Sequence, residues 1–175
     1  MHDDHRERNR HADGEHARRR TSRFARTRTD EPVREPSEIR IDVPDHAFLP
    51  ADYVSKEELR LEAYRRLALV TTRAEVDDIS NEWIDRYGPI PDPARMLLTV
   101  GILRAECHRL GITELTISSN QARISPVDLK VSESMRLKRL SRDAIHKESL
   151  RQLVVPIPRD REAASYIVEF LGELF

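Results

Sequence analysis

Five glycines and one cysteine in 175 residues exclude several kinds of chemistry before any motif is sought. Gly14, Gly88, Gly101, Gly111 and Gly172 lie too far apart to build a phosphate-cradling loop, and no G-x-x-x-x-G-K-[ST] occurs. ATP hydrolysis by this chain alone is therefore not expected. The G-x-S-x-G of a nucleophile elbow is missing too. A single cysteine, Cys107, excludes an internal disulfide and a cysteine-based zinc site, and it suits a reducing cytoplasm. Apolar runs fall far short of the roughly 18 residues of a membrane span. The opening MHDDHRERNR is charged and lacks the apolar segment of a secretory signal.

What the chain does have is charge, unevenly placed. Hydrophobic residues at 38% and charged residues at 35% describe a soluble protein with a modest core, enough for one domain and a tail. Residues 1–38 carry ten Arg, nine Asp or Glu and four His, with too little apolar surface to offset the entropy of ordering a backbone. Composition thus predicts a disordered Arg-rich tail over 1–37 and a domain over 38–175. Within the tail, RRRTSRFARTRT (18–29) holds Arg18, Arg19, Arg20, Arg23, Arg26 and Arg28 and no acid. Such a run is suited to phosphate contacts on a nucleic acid. The alternative is a solvated extension, since acids flank the run and only Phe24 could stack on a base. The four tail histidines lack the spacing of a metal site.

From residue 38 the pattern turns regular. EIRIDV alternates Ile39, Ile41 and Val43 with charged neighbours, as a half-buried strand does, and Pro44 stops it. A first helix is expected from Ser55, with Ser55 and Glu58 at capping-box spacing. Leu59, Ala63, Leu67 and Val70 form its apolar side, widened by Tyr64 and Ala68, and Glu62 pairs with Arg66. A second helix starts with the capping pair Thr72 and Glu75. Its buried stripe is Val76, Ile79, Trp83 and Tyr87, and the opposite face carries Glu75, Asp78, Glu82 and Asp85. Gly88 and Pro89 end it. Asp92 as N-cap and Pro93 then start a third helix, apolar nearly all round and hence central, which Gly111 closes.

ITELTIS and ARISPV read as two short strands joined near Ser119-Asn120, SESMRLKRL as a short helix and LRQLVVPIP as a further strand. Ala163, Ala164, Ile167, Val168, Leu171 and Leu174 keep the period of a closing helix. The fold class is α+β: three helices, then a small sheet and a C-terminal helix. No catalytic residue is expected. Cys107 and His108 are neighbours, but on a helix they point about 100° apart. The acidic stripe of the second helix reads either as a solvated face or as a docking surface for a basic partner patch.

Three stretches, LPADYVSKEELRLEAYRRLA, EVDDISNEWIDRYGPIPDPARMLL and LRAECHRLGIT, resemble the C-terminal domain of the bacterial transcription-repair-coupling factor. The match rests on Arg60-Leu61 with Tyr64-Arg65-Arg66, on Ile84-Asp85-Arg86-Tyr87-Gly88, and on Pro91-Asp92-Pro93-Ala94-Arg95. It runs from about residue 37 to the end and is firmest over 49–112; the preference for Arg over Lys suggests an actinobacterial relative. The resemblance implies that full-length members are ATP-driven DNA translocases that act on stalled RNA polymerase. It further implies that their C-terminal domain is a non-catalytic regulator. That domain packs on an N-terminal module resembling the excinuclease B subunit, masks the repair-recruitment surface and restrains the motor. Carried over residue by residue, the contact falls first on Glu82, with Asp78, Asp85 and Glu75 beside it. No cofactor and no membrane is implied. RNA polymerase and DNA would be reached only through the full-length context. No helicase motif is present, so the chain is expected to be a truncated or free-standing piece.

Overall fold

The computed structural model describes residues 39–41, 46–118 and 120–175. The Arg-rich run and the boundary expected at residue 37 lie outside the described residues. A short strand β1 (Arg40–Ile41) is followed by helices α1 (Glu57–Ala68), α2 (Arg73–Tyr87) and α3 (Asp92–Leu110). Strands β2 (Glu114–Ser118) and β3 (Gln121–Ser125) come next, then α4 (Val131–Leu140), β4 (Ile145–Lys147), a 3-10 turn (Glu148–Leu150), β5 (Gln152–Pro156) and α5 (Ala163–Leu174). The fold class is α+β, as expected, with five α-helices and one mixed five-stranded sheet among the described residues.

The sheet runs β1-β2-β3-β5-β4. Only the β1–β2 pair is parallel. Its inner row sets Leu115 opposite Ile124 and Ile124 opposite Leu153, all buried. The next residues along, Thr116 and Arg123, are exposed, which is the period-2 pattern of a sheet covered on one face. Against that inner face pack Leu103 and Cys107 of α3, Leu137 of α4 and Ile167, Phe170 and Leu171 of α5.

A second core joins Ala63 and Leu67 of α1, Val76, Ile79 and Trp83 of α2 and Ala94, Leu97 and Leu98 of α3, closed by Leu49 and Val54 of the preceding loop. α3 therefore serves both cores, one with each half of its 19 residues. That is why its apolar residues go round the whole helix. Gly101, at the midpoint of α3, faces this second core: a Cβ there would stand 3.0 Å from Leu67 Cδ2.

Several expectations need correction. The strand expected from Ile39 is found at Arg40–Ile41 among the described residues, where it forms the parallel edge of the sheet beside β2. Arg104 Nη1 donates to the Ile39 carbonyl at 3.2 Å and fastens this edge to α3. α1 starts at Glu57, with Lys56 as N-cap and no capping box. The Arg60 guanidinium takes the Val54 and Ser55 carbonyls at 2.7 and 3.0 Å, which fixes the entry to α1 without Ser55 and Glu58. Ala68 is exposed and Tyr64 is 36% exposed; the Tyr64 hydroxyl accepts from the Leu49 N–H at 2.8 Å. α3 has Pro91 as N-cap, and Asp92 is already helical. β4 was not expected at all. The Thr72–Glu75 capping box, the αL cap at Gly111, β2, β3, α4, β5 and α5 stand where the residues placed them.

Candidate interaction face on the second helix

The corner after α2 is held by a loop tyrosine. The Tyr53 hydroxyl points its single hydrogen between the Trp83 and Gly88 carbonyls, at 3.1 and 3.0 Å. Its ring meets Tyr87 edge-on with centroids 5.7 Å apart. Burial, and then the neighbouring Tyr87, raise the Tyr53 pKa, so the phenol stays a donor. Gly88 follows at φ 85°, ψ −159°, a conformation essentially confined to glycine. The chain thus reverses into α3 with Trp83 buried beneath it.

Around α2 the four predicted carboxylates differ in what they do. Glu75 completes the capping box: it accepts from the Thr71 and Thr72 N–H groups at 2.7 and 3.2 Å, which lowers its pKa. Glu82 is bracketed by two guanidiniums. Arg66 Nη1 of α1 reaches Oε2 at 2.6 Å, and Arg86 Nη1 reaches Oε1 at 2.7 Å. Those hydrogen bonds, Arg66 first, hold the Glu82 carboxyl below the ordinary carboxylate range. Side-chain exposures of 41% for Arg66, 31% for Glu82 and 45% for Arg86 make these surface pairs, worth roughly 0–1 kcal/mol each. Asp78 and Asp85 are exposed and in no ion pair among the described residues. The expected Glu62–Arg66 pair gives way to Arg66–Glu82, which ties α1 to α2.

Beside Asp85 lies an apolar depression that the sequence reading missed. Ile84, half exposed, lines it together with Ser80, Pro89, Ile90, Arg95 and Leu98. The available signal was an isoleucine lying off the Val76–Trp83 stripe. On the other flank, Arg66, Leu69, Val70, Glu75, Asp78 and Ile79 line an open groove between the end of α1 and α2.

Elsewhere little chemistry is offered. Cys107 is fully buried, and burial pushes its thiol up to about 12. His108 next to it is exposed. No group of three or more metal-ligating side chains occurs among the described residues. Among the described residues no helix is long and apolar enough to cross a membrane. Arg18, Arg19, Arg20, Arg23, Arg26 and Arg28 lie outside the described residues.

Comparison with known proteins gives the family of the chain. The family model described as TRCF domain matches residues 43–137, which includes all of α1, α2 and α3. The transcription-repair-coupling factor of Mycobacterium tuberculosis is 44% identical over 126 residues, covering 71% of this chain and 10% of that protein. The Escherichia coli protein of the same name is 39% identical over 79 residues, 45% of this chain and 7% of that protein. The chain therefore spans about a tenth or less of the length of these relatives. A crystal structure of the C-terminal domain of a transcription-repair coupling factor shares the fold, with TM-score 0.64 and 18% identity, over 79% of this chain and 89% of that one. With more than half of its length matched by the family model, the chain belongs to the TRCF domain family.

Proposed function

We propose that this chain is a non-catalytic regulatory domain that docks, through the outer face of α2, onto a basic surface of a module resembling the excinuclease B subunit. In an intact transcription-repair-coupling factor that contact would mask the repair-recruitment surface and restrain the DNA translocase. RNA polymerase and DNA would be met only through the rest of such a protein, and the setting would be the cytoplasm.

The observation that carries the reading is the combination on one helix of Asp78 and Asp85, unpaired among the described residues, with the exposed apolar Ile84. Carboxylates at a rim steer a basic partner and set register, while a small apolar centre supplies contact area. Glu82, already bracketed, contributes less direct charge than Asp78 or Asp85. The buried Cys107 and the absence of a phosphate-binding loop support the non-catalytic part.

The test is binding of the purified chain to the excinuclease-B-like module of the Mycobacterium tuberculosis relative, with ATP hydrolysis measured in parallel. The reading expects binding that weakens at least about tenfold in an Asp78→Lys/Asp85→Lys variant, as for reversed charges at an interface. It expects no ATP turnover. Undiminished binding by the reversed variant would remove α2 from the account.

A further inference from the structure

The outer face of α4 leaves apolar side chains uncovered beside unpaired cations. Val131 is 80% exposed and Met135 62%. They stand four residues apart, so they share one face, while Leu137 is buried in the core under the sheet. At about 100° per residue, Lys138 and Arg139 fall on either side of that apolar pair, and Arg142 follows just past the helix end.

The charge here is of one sign. Residues 134–147 hold Arg136, Lys138, Arg139, Arg142 and Lys147 against one acid, Asp143. Arg136 is already used, since it donates to the Glu173 and Leu174 carbonyls at 3.4 and 2.8 Å and closes α5. Glu133, the one carboxylate within α4, accepts from the Lys130 N–H at 2.7 Å and so serves the helix start. Lys138, Arg139 and Arg142 are exposed and in no ion pair among the described residues. The base of the helix is held in place: Arg151 Nε donates to both Asp128 oxygens at 3.0 Å, and the His146 ring meets the Val127 carbonyl at 3.0 Å.

The apolar pair decides which anionic partner fits. A nucleic acid would engage the cations through its phosphates and leave Val131 and Met135 without a complement. No Phe, Tyr or Trp occurs between residues 126 and 165 to stack on a base. An apolar centre containing methionine, rimmed by arginine, is the make-up of a protein contact. Its complement is a helix with its own apolar stripe flanked by carboxylates, packed along α4.

We infer that the outer face of α4 is a second interaction surface, which takes an acidic amphipathic helix of a partner protein. The partner's apolar stripe lies on Val131 and Met135, and its carboxylates meet Lys138, Arg139 and Arg142. This goes beyond the docking reading above and does not rest on it. α4 belongs to the core under the sheet and α2 to the other core, so α4 contributes no residue to the face proposed there.

The probe is a synthetic helical peptide with a leucine stripe flanked by glutamates, titrated into the full chain and followed by fluorescence anisotropy and amide NMR. Saturable binding with shifts at 131–142 is expected. Met135→Ser should weaken it by about fivefold or more, as loss of a central apolar contact does. Lys138→Glu/Arg139→Glu should weaken it by about tenfold or more. All three positions are exposed, and Val131→Ser repeats the apolar arm should Met135→Ser fail to fold. Absence of saturable binding overturns the inference. So does equal binding of a glutamate peptide without leucines, or affinity unchanged in every variant, which would assign the binding to the Arg-rich residues 18–29. Tighter binding of duplex DNA, lost in Lys138→Glu/Arg139→Glu and kept in Met135→Ser, would make the face a nucleic-acid surface instead. Self-association of the chain that Met135→Ser abolishes would make the occupant a second copy.

Discussion

Replacing Gly88 by alanine isolates the backbone strain at the corner that orients α2. Gly88 sits at φ 85°, ψ −159°, and a Cβ built there meets nothing within 4 Å. Steric contact with neighbours therefore contributes nothing, and the cost is that of forcing an L-residue into a region occupied by glycine, about 1–3 kcal/mol. Alanine also narrows the unfolded ensemble, which returns about 0.4–1 kcal/mol. A net loss of about 1–2 kcal/mol remains, read as a fall of about 3–8 °C in thermal midpoint for a domain of this size. Two controls give the number its meaning. Gly172→Ala, in exposed helix with open space around it, should stabilise by up to about 1 kcal/mol. Gly111→Asn should be mild, because Gly111 is in the αL conformation at φ 70°, ψ 24°, which asparagine tolerates. Gly88→Asn should not be mild, since ψ −159° lies outside that region. The assay is thermal unfolding followed by circular dichroism at one pH. A wild-type midpoint for Gly88→Ala, or rescue by Gly88→Asn, would refute the conformational argument.

Two further outcomes are expected. Cys107 should resist alkylation at pH 8 in the native chain and react fully in denaturant, because burial holds its thiol near pKa 12; native reactivity at the rate of a free thiol would show the second half of α3 to be open. Glu75, Glu82 and Asp128 have carboxyl pKa values lowered in the fold, so their contributions are present above the ordinary carboxylate range and are lost as pH falls through their folded values. An acid titration of stability should therefore be shallower for Glu82→Gln than for wild type, and equal slopes would show that the Arg66 and Arg86 bonds do not persist in solution.

Local and periodic features were legible in the residues. The buried stripe of α2, its capping box, the glycine and prolines after it and the closing helix each depend on neighbours within a few positions, which a sequence displays directly. Tertiary choices were not. Arg66 stands four residues after Glu62, yet its guanidinium goes to Glu82 on another helix, and nothing local distinguishes the two carboxylates. Ser55 and Glu58 have capping spacing, but Arg60 secures the Val54 and Ser55 carbonyls and α1 begins later. β4 is three residues with no alternation to reveal it, and it pairs only because β5 presents an edge. At the candidate site, the spacing put the four carboxylates in one row, and their inequality came only with the partners that Glu75 and Glu82 had found. Ile84 and Leu69 were visible as letters and became meaningful once their exposure was known.

The most direct measurement of the central claim is hydrogen–deuterium exchange of the full chain with and without the excinuclease-B-like module of the Mycobacterium tuberculosis relative. The docking reading predicts added protection over residues 69–91, from the end of α1 through α2 and the corner, with α4 and β4 unchanged. Protection confined to α4 and β4, or none at saturating module, would contradict it.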